Sequence, residues 1–191
     1  MRAYLFLLIC GFWIFAPVTS QAQAEPASES APLTEKIITD YLDTMAALYT
    51  FEKPDLEKIL DYAHKHIDPE AHFVIENHVN DMLDPMIEKY NYDQMLAQVE
   101  EDYTKAYNTQ TKYKIESIKM SEDRESAEIK YHVWMNSAYA THEPQTGRKA
   151  EVTFKTYSFC TEHVHMVDNL LKIKDSNCVQ DVALAKPVFL E

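Results

Sequence analysis

Glycine is almost missing from this chain: it has two in 191 residues, Gly11 and Gly147. Phosphate-cradling loops and dinucleotide-binding turns need several glycines at fixed spacing, so both classes are excluded. Positive charge is also scarce, with 18 Lys and Arg against 31 Asp and Glu and a net charge of −13. A basic patch is what holds nucleic acid or an anionic membrane surface, so neither is an expected partner. After the first 16 residues no apolar run is long enough to span a bilayer, which takes about 20 residues. Cysteine is limited to Cys10, Cys160 and Cys178.

What is present begins with an export signal. Arg2 supplies a short charged start, and Tyr4 to Ala16 form an uncharged apolar run that Pro17 breaks. Small and polar residues follow and end in Ala22-Gln23-Ala24, an A-x-A cleavage triplet. Residues 1–24 therefore read as a signal peptide cut after Ala24, and the chain as periplasmic or secreted. A lipid anchor on Cys10 is disfavoured, because Ile9 is too large to precede it and Cys10 lies inside the apolar run. Cleavage removes one base and no acid, leaving 17 bases against 31 acids, a balance of −14. It also leaves two cysteines, which in an oxidising compartment form one disulfide.

Residues 25–33 are polar and read as a disordered leader. From Thr34 the apolar residues Ile37, Ile38, Tyr41, Leu42, Met45 and Tyr49 recur at helical spacing. Pro54 marks the first turn of a second helix, which Asp68-Pro69 ends. Residues 71–76 form a short strand. Asp84-Pro85 opens a helical stretch through Met86, Ile87 and Tyr90, and Asn91 with Gln94 makes a capping box that restarts the helix to Ala106. The acidic run Glu100-Glu101-Asp102 reads as a solvated helix face.

Beyond Tyr107 the apolar period falls from 3.6 to 2. Strands are expected at 112–120 (with one slip that marks a bulge), 125–136, 149–160 and 170–179. A hairpin centred on Asn169 places Cys160 opposite Cys178, within disulfide reach, for about 3 kcal/mol of stabilisation in the chain-entropy model. Helices first and strands afterwards indicate an α+β domain over 34–181, with N-terminal helices packed on a curved antiparallel sheet and a tail over 182–191.

In this element order, in the strand-turn-strand around Ser121-Glu122-Asp123-Arg124, and in the closing hairpin Val167-Asp168-Asn169-Leu170-Leu171-Lys172-Ile173-Lys174, the chain resembles the NTF2-like (SnoaL-like, cystatin-like) superfamily. The resemblance implies a cone whose mouth, in the superfamily's enzymes, holds Asp, His or Tyr. Tyr113 and Tyr131 project with the apolar set and would line such a cavity. The usual Gly-Trp before the last strand is missing, and no catalytic motif transfers. Export, size and element order are also similar to periplasmic phospholipid carriers of the MlaC type.

Three further groups of residues carry candidate chemistry. His163 and His165 share one strand face, and a metal would need a third ligand such as Glu162 or Asp168. His64 and His66 point about 200° apart on a helix and make a poorer pair. His132, Trp134, Tyr157 and Phe159 lie on the sheet face opposite the apolar set, and would form a protein-contact or homodimer surface unless the C-terminal tail covers them. No motif calls for a cofactor or names a catalytic residue. The expected function is non-catalytic binding of a small apolar ligand or a protein partner. The alternatives are a small lyase, isomerase or hydrolase, and a lipid shuttle.

Overall fold

The computed structural model describes residues 31–80, 84–142 and 147–189. The expected signal peptide, its cleavage site and residues 25–30 of the leader lie outside the described residues. Three helices, α1 (Glu35–Leu48), α2 (Leu56–His66) and α3 (Tyr92–Lys105), precede or interrupt the strands. The strands are β1 (Ile67–Val79), β2 (Met86–Asn91), β3 (Ala106–Met120), β4 (Ser126–His142), β5 (Lys149–Val167), β6 (Leu170–Leu184) and β7 (Val188–Phe189). They make one open, curved sheet in the order β2-β1-β6-β5-β4-β3, with β7 beside β5. The helices pack on its concave face. The fold is α+β, as the element order implies.

The helix starts follow the sequence closely. The Thr34 hydroxyl accepts from Ile37 N–H at 3.3 Å and opens α1. Asp55, rather than a turn begun at Pro54, caps α2 by accepting from Lys58 N–H. Asn91 and Gln94 satisfy each other's backbone N–H groups in a capping box at α3. Ile38, Tyr41 and Leu42 of α1, Ala63 of α2 and Met95 of α3 then meet Ile129, Tyr131, Cys160, Val164 and Ile173 of the sheet in one apolar core. Each fully buried aliphatic side chain there contributes about 1.5–3 kcal/mol. Leu33, just before α1, is also fully buried, and its N–H donates to Arg124 O at 2.7 Å.

Residues 86–91 correct one expectation. The Asp84-Pro85 pair and the spacing of Met86, Ile87 and Tyr90 read as a helix, yet this segment is an edge strand paired antiparallel with β1 from Asn77↔Met86 to His72↔Asn91. Only five residues separate Pro85 from the Asn91 cap. That is under two helical turns, too few to offset helix nucleation when a neighbouring strand offers pairing. β1 is likewise longer than expected, and it pairs parallel with β6. The strand meander β3-β4-β5-β6 is antiparallel throughout.

The closing hairpin places Cys160 opposite Cys178 and joins them by a disulfide, with Cα atoms 4.2 Å apart. The route to that register differs from a turn centred on Asn169. Asp168 and Asn169, both at positive φ, form a two-residue turn between Val167 and Leu170. That register alone would set Cys160 against Asn177. The extra residue Lys174, between the pairs Val164↔Ile173 and His163↔Asp175, shifts β6 by one and brings Cys178 into line. The slip expected in β3 is present as well, at Glu116.

Candidate binding pocket

Strand alternation decides what the concave face presents. Odd residues of β1 and β4 and even residues of β2 and β5 point inward, while β6 changes from odd (Leu171, Ile173) to even (Ser176, Cys178, Gln180) at the extra residue Lys174. At the end of the sheet where β6 passes Gln180, the inner face of the strands meets α3. A cavity of about 310 Å³ opens between them. The wall from β4, β5 and β6 is largely apolar, with Met135, Val152, Phe154 and Val182 beside the polar Thr156 and Gln180. The other side, from β1, β2 and α3, is polar apart from Ile75: Asn77, Glu88, Tyr90, Gln98 and Asp102. Ligand sites combine these two features, an apolar body and a few convergent polar groups.

The polar wall is pre-ordered by its own hydrogen bonds. Gln98 Nε2 donates to Asp102 Oδ1 at 2.9 Å across one turn of α3. Asn77 Nδ2 donates to Glu88 Oε2 at 2.7 Å across the β1–β2 pair. On the far side the Ser158 hydroxyl donates to Gln180 Oε1 at 3.0 Å. Burial raises the Asp102 carboxyl above the usual aspartate range, and the charges of Glu101 and Glu88 push the same way. Burial, helped by Glu88, pushes the Tyr90 phenol up to about 12.

Asp102 overturns part of the sequence reading. Glu100 and Glu101 are exposed, but Asp102 is half-buried and faces the cavity. It follows Met95 and Val99 at spacings of four and three, so the inward stripe of α3 already contained it.

A second carboxylate lies deeper. Glu162 of β5 is 5% exposed. The Tyr131 phenol donates to its Oε1 at 2.7 Å and the Ser176 hydroxyl at 3.4 Å, while Oε2 has no partner. Burial pushes this carboxyl from 4.5 up to about 7, against the opposing hydrogen bonds of Tyr131 and Ser176. Six residues of strand separate it from Thr156 at the cavity, roughly 20 Å at ~3.3 Å per residue. The disulfide lies between the two. Glu162 points inward because it sits two residues from the inward Cys160. Ending the expected strand at Cys160 hid this.

The other sequence-selected residues fall outside the cavity. Tyr131 faces inward as expected but is spent on Glu162. Tyr113 is half-buried and donates to Asp43 Oδ1 at 2.5 Å, tying β3 to α1. His163 and His165 share the outer face but meet different acids: His163 Nε2 is 3.6 Å from Glu128 Oε2, and His165 Nε2 is 2.9 Å from Asp68 Oδ2. Glu162 points to the opposite face. Among the described residues no three His, Cys, Asp or Glu side chains converge as a metal site.

On the outer face β4 and β5 bring four rings together. His132 packs against Trp134, Tyr157 and Phe159, with centroids 5.9, 5.6 and 5.0 Å away, and the Tyr157 hydroxyl lies 2.7 Å from His132 Nδ1. Trp134 and Tyr157 remain 42% and 37% exposed. The C-terminal strand β7 pairs at Ala150 and Glu151 instead. The described part of the tail therefore leaves these two rings open.

No protein-family model and no curated protein matches the sequence. Solved structures do resemble the fold. A scytalone dehydratase candidate from Novosphingobium aromaticivorans superposes with a TM-score of 0.51 at 12% identity, over 82% of this chain and 87% of that one. The β subunit of benzoate 1,2-dioxygenase from Burkholderia mallei gives 0.49 at 13%, over 78% and 92%. An NTF2-like protein of unknown function from Silicibacter pomeroyi gives 0.43 at 14%, over 77% and 93%. The architecture is NTF2-like. At such identities the likeness extends to the fold alone. Activity therefore has to be argued from the pocket. No helix among the described residues is long and apolar enough to cross a membrane.

Proposed function

We propose that this NTF2-like chain binds a small organic molecule in the concave pocket between α3 and the sheet. The observation that carries the reading is the two-sided lining: a greasy sheet wall faces a wall of carboxylates, amides and a phenol. A volume near 310 Å³ is at the small end of ligand sites. The mixed lining suits an amphipathic molecule better than acyl chains, which weakens the lipid-shuttle reading. To the small apolar ligand expected from the sequence, this reading adds a polar end.

The Cys160–Cys178 bond supports an oxidising compartment, and with it the export signal. Native mass spectrometry of the chain purified from its own cells tests ligand and processing together. The expected mass begins at Glu25, is two hydrogens short for the disulfide, and carries a small-molecule adduct. Met135→Trp, which fills the cavity from its sheet wall, removes the adduct while the thermal midpoint stays within a few degrees. An adduct that survives Met135→Trp contradicts the pocket assignment.

A second reading rests on a different surface. The exposed pair Trp134 and Tyr157, continuous with His132 and Phe159, suits contact with a second copy of the chain. Sedimentation velocity should give a dimer for the wild type and a monomer for Trp134→Lys. A wild-type monomer at high micromolar concentration removes this reading and leaves the pocket untouched.

A further inference from the structure

Charge decides what kind of molecule the pocket takes. Its described lining includes two acids, Glu88 and Asp102, and no Lys, Arg or His. The two carboxylates feel each other, since the charge of Glu88 raises Asp102. Their hydrogen-bond donors, Asn77 and Gln98, are neutral amides that bring no compensating charge. Lys105, on the same helix as Asp102, is held by Glu101 at 2.6 Å and does not line the cavity, although its charge acts on Asp102 against those of Glu101 and Glu88. The lining is thus net negative, with its charge on the half-buried Asp102 and the exposed Glu88.

The remaining walls fit a particular cation. Tyr90, Tyr139 and Phe154 line the same space, and Tyr139 meets Phe154 edge-on with centroids 4.6 Å apart. Aromatic faces attract cations by their quadrupoles. A hydrated metal ion would gain nothing from Met135, Val152 and Val182, whereas an organic ammonium places its charge at Asp102 and its carbon body against them. The whole-chain charge of −13 also raises the local concentration of cations.

We infer that the ligand of the concave pocket is an organic cation, an amine or quaternary ammonium with an apolar or aromatic body, whose charge pairs with Asp102 and Glu88. The inference rests on the pocket reading above and narrows it to one chemical class. An anionic or uncharged ligand would leave the half-buried Asp102 carboxyl, and the exposed Glu88 carboxylate that lines the same space, without a counter-charge.

The test is calorimetric titration of the intact chain with three probes of one shape: 2-phenylethylamine, 2-phenylethanol and phenylacetate. The amine is expected to bind one to one, the alcohol at least about tenfold more weakly, and phenylacetate more weakly still, because a charge-assisted hydrogen bond is lost and then reversed. Asp102→Asn should weaken the amine by about tenfold or more and leave the alcohol unchanged, with Glu88→Gln in the same direction. Both variants keep the side-chain shape, and circular dichroism checks their fold. The inference is overturned if the alcohol or phenylacetate matches the amine, if Asp102→Asn leaves amine affinity within twofold, or if no probe binds. Binding of the alcohol that Met135→Trp abolishes keeps the pocket reading while the cation is lost. Failure of all three probes counts against both.

Discussion

Between pH 5 and pH 8 the wild-type chain is expected to lose on the order of 3 kcal/mol of unfolding free energy that the Glu162→Gln variant keeps. The cause is the buried carboxyl on β5. Unfolded, it titrates near 4.5; folded, near 7. Between those values the folded chain holds a proton that the unfolded chain has released. Raising the pH therefore favours unfolding. The contribution of Glu162 is fully present below about pH 4.5 and is lost as the pH rises through about 7. Glutamine copies the protonated form: its amide oxygen takes the place of Oε1 under Tyr131 and Ser176, and no charge is left at the unpartnered Oε2. Urea unfolding at pH 5 should give nearly equal stabilities, and at pH 8 the variant should be the more stable. Parallel pH profiles for the two proteins would show that Glu162 is not held protonated. Other titrating groups, including Asp68 and Glu128, are common to both proteins and cancel in the comparison.

Removing the disulfide is expected to cost about 3 kcal/mol. Cys160 and Cys178 close a loop with a sequence separation of 18, and their bond restrains the unfolded chain. The double variant Cys160→Ala/Cys178→Ala should unfold at lower urea with a steeper slope, because its unfolded state expands further. Dithiothreitol should bring the wild type to the midpoint of the variant and leave the variant unchanged. The effect exceeds a purely local one because the bond pins the register that the extra residue Lys174 sets between β5 and β6. A loss under about 1 kcal/mol would mean that core packing alone holds that register.

Much of the fold was legible because local and tertiary preferences agree. Thr34, Asn91 and Gln94 cap the helices they were expected to cap, and the inward set Ala127, Ile129 and Tyr131 of β4 is buried. Where a short segment had two options, local signals misled. Residues 86–91 carry helix-start chemistry, yet β1 offered a free edge and the strand won. The polar side of the pocket was hidden for another reason. Sequence patterns find inward positions by their apolar residues, so an inward acid reads as a break in the pattern or as solvated charge. Asp102 was absorbed into the run with Glu100 and Glu101, and Glu162 was taken as a neighbour of His163 and His165. In both cases the helical or strand period, continued one step further, points the acid inward. The convergence of Asp102 with Glu88 depends on the pairing of β2 with β1, which the helical reading of 86–91 excluded.

Occupancy of the concave pocket by an organic cation is tested most directly by amide chemical-shift mapping with 2-phenylethylamine. The predicted result is a saturable shift confined to Asn77, Tyr90, Gln98, Asp102, Met135 and Gln180, absent in Asp102→Asn. Shifts centred on His132, Trp134 and Tyr157, or no saturable shift at the pocket, would contradict it.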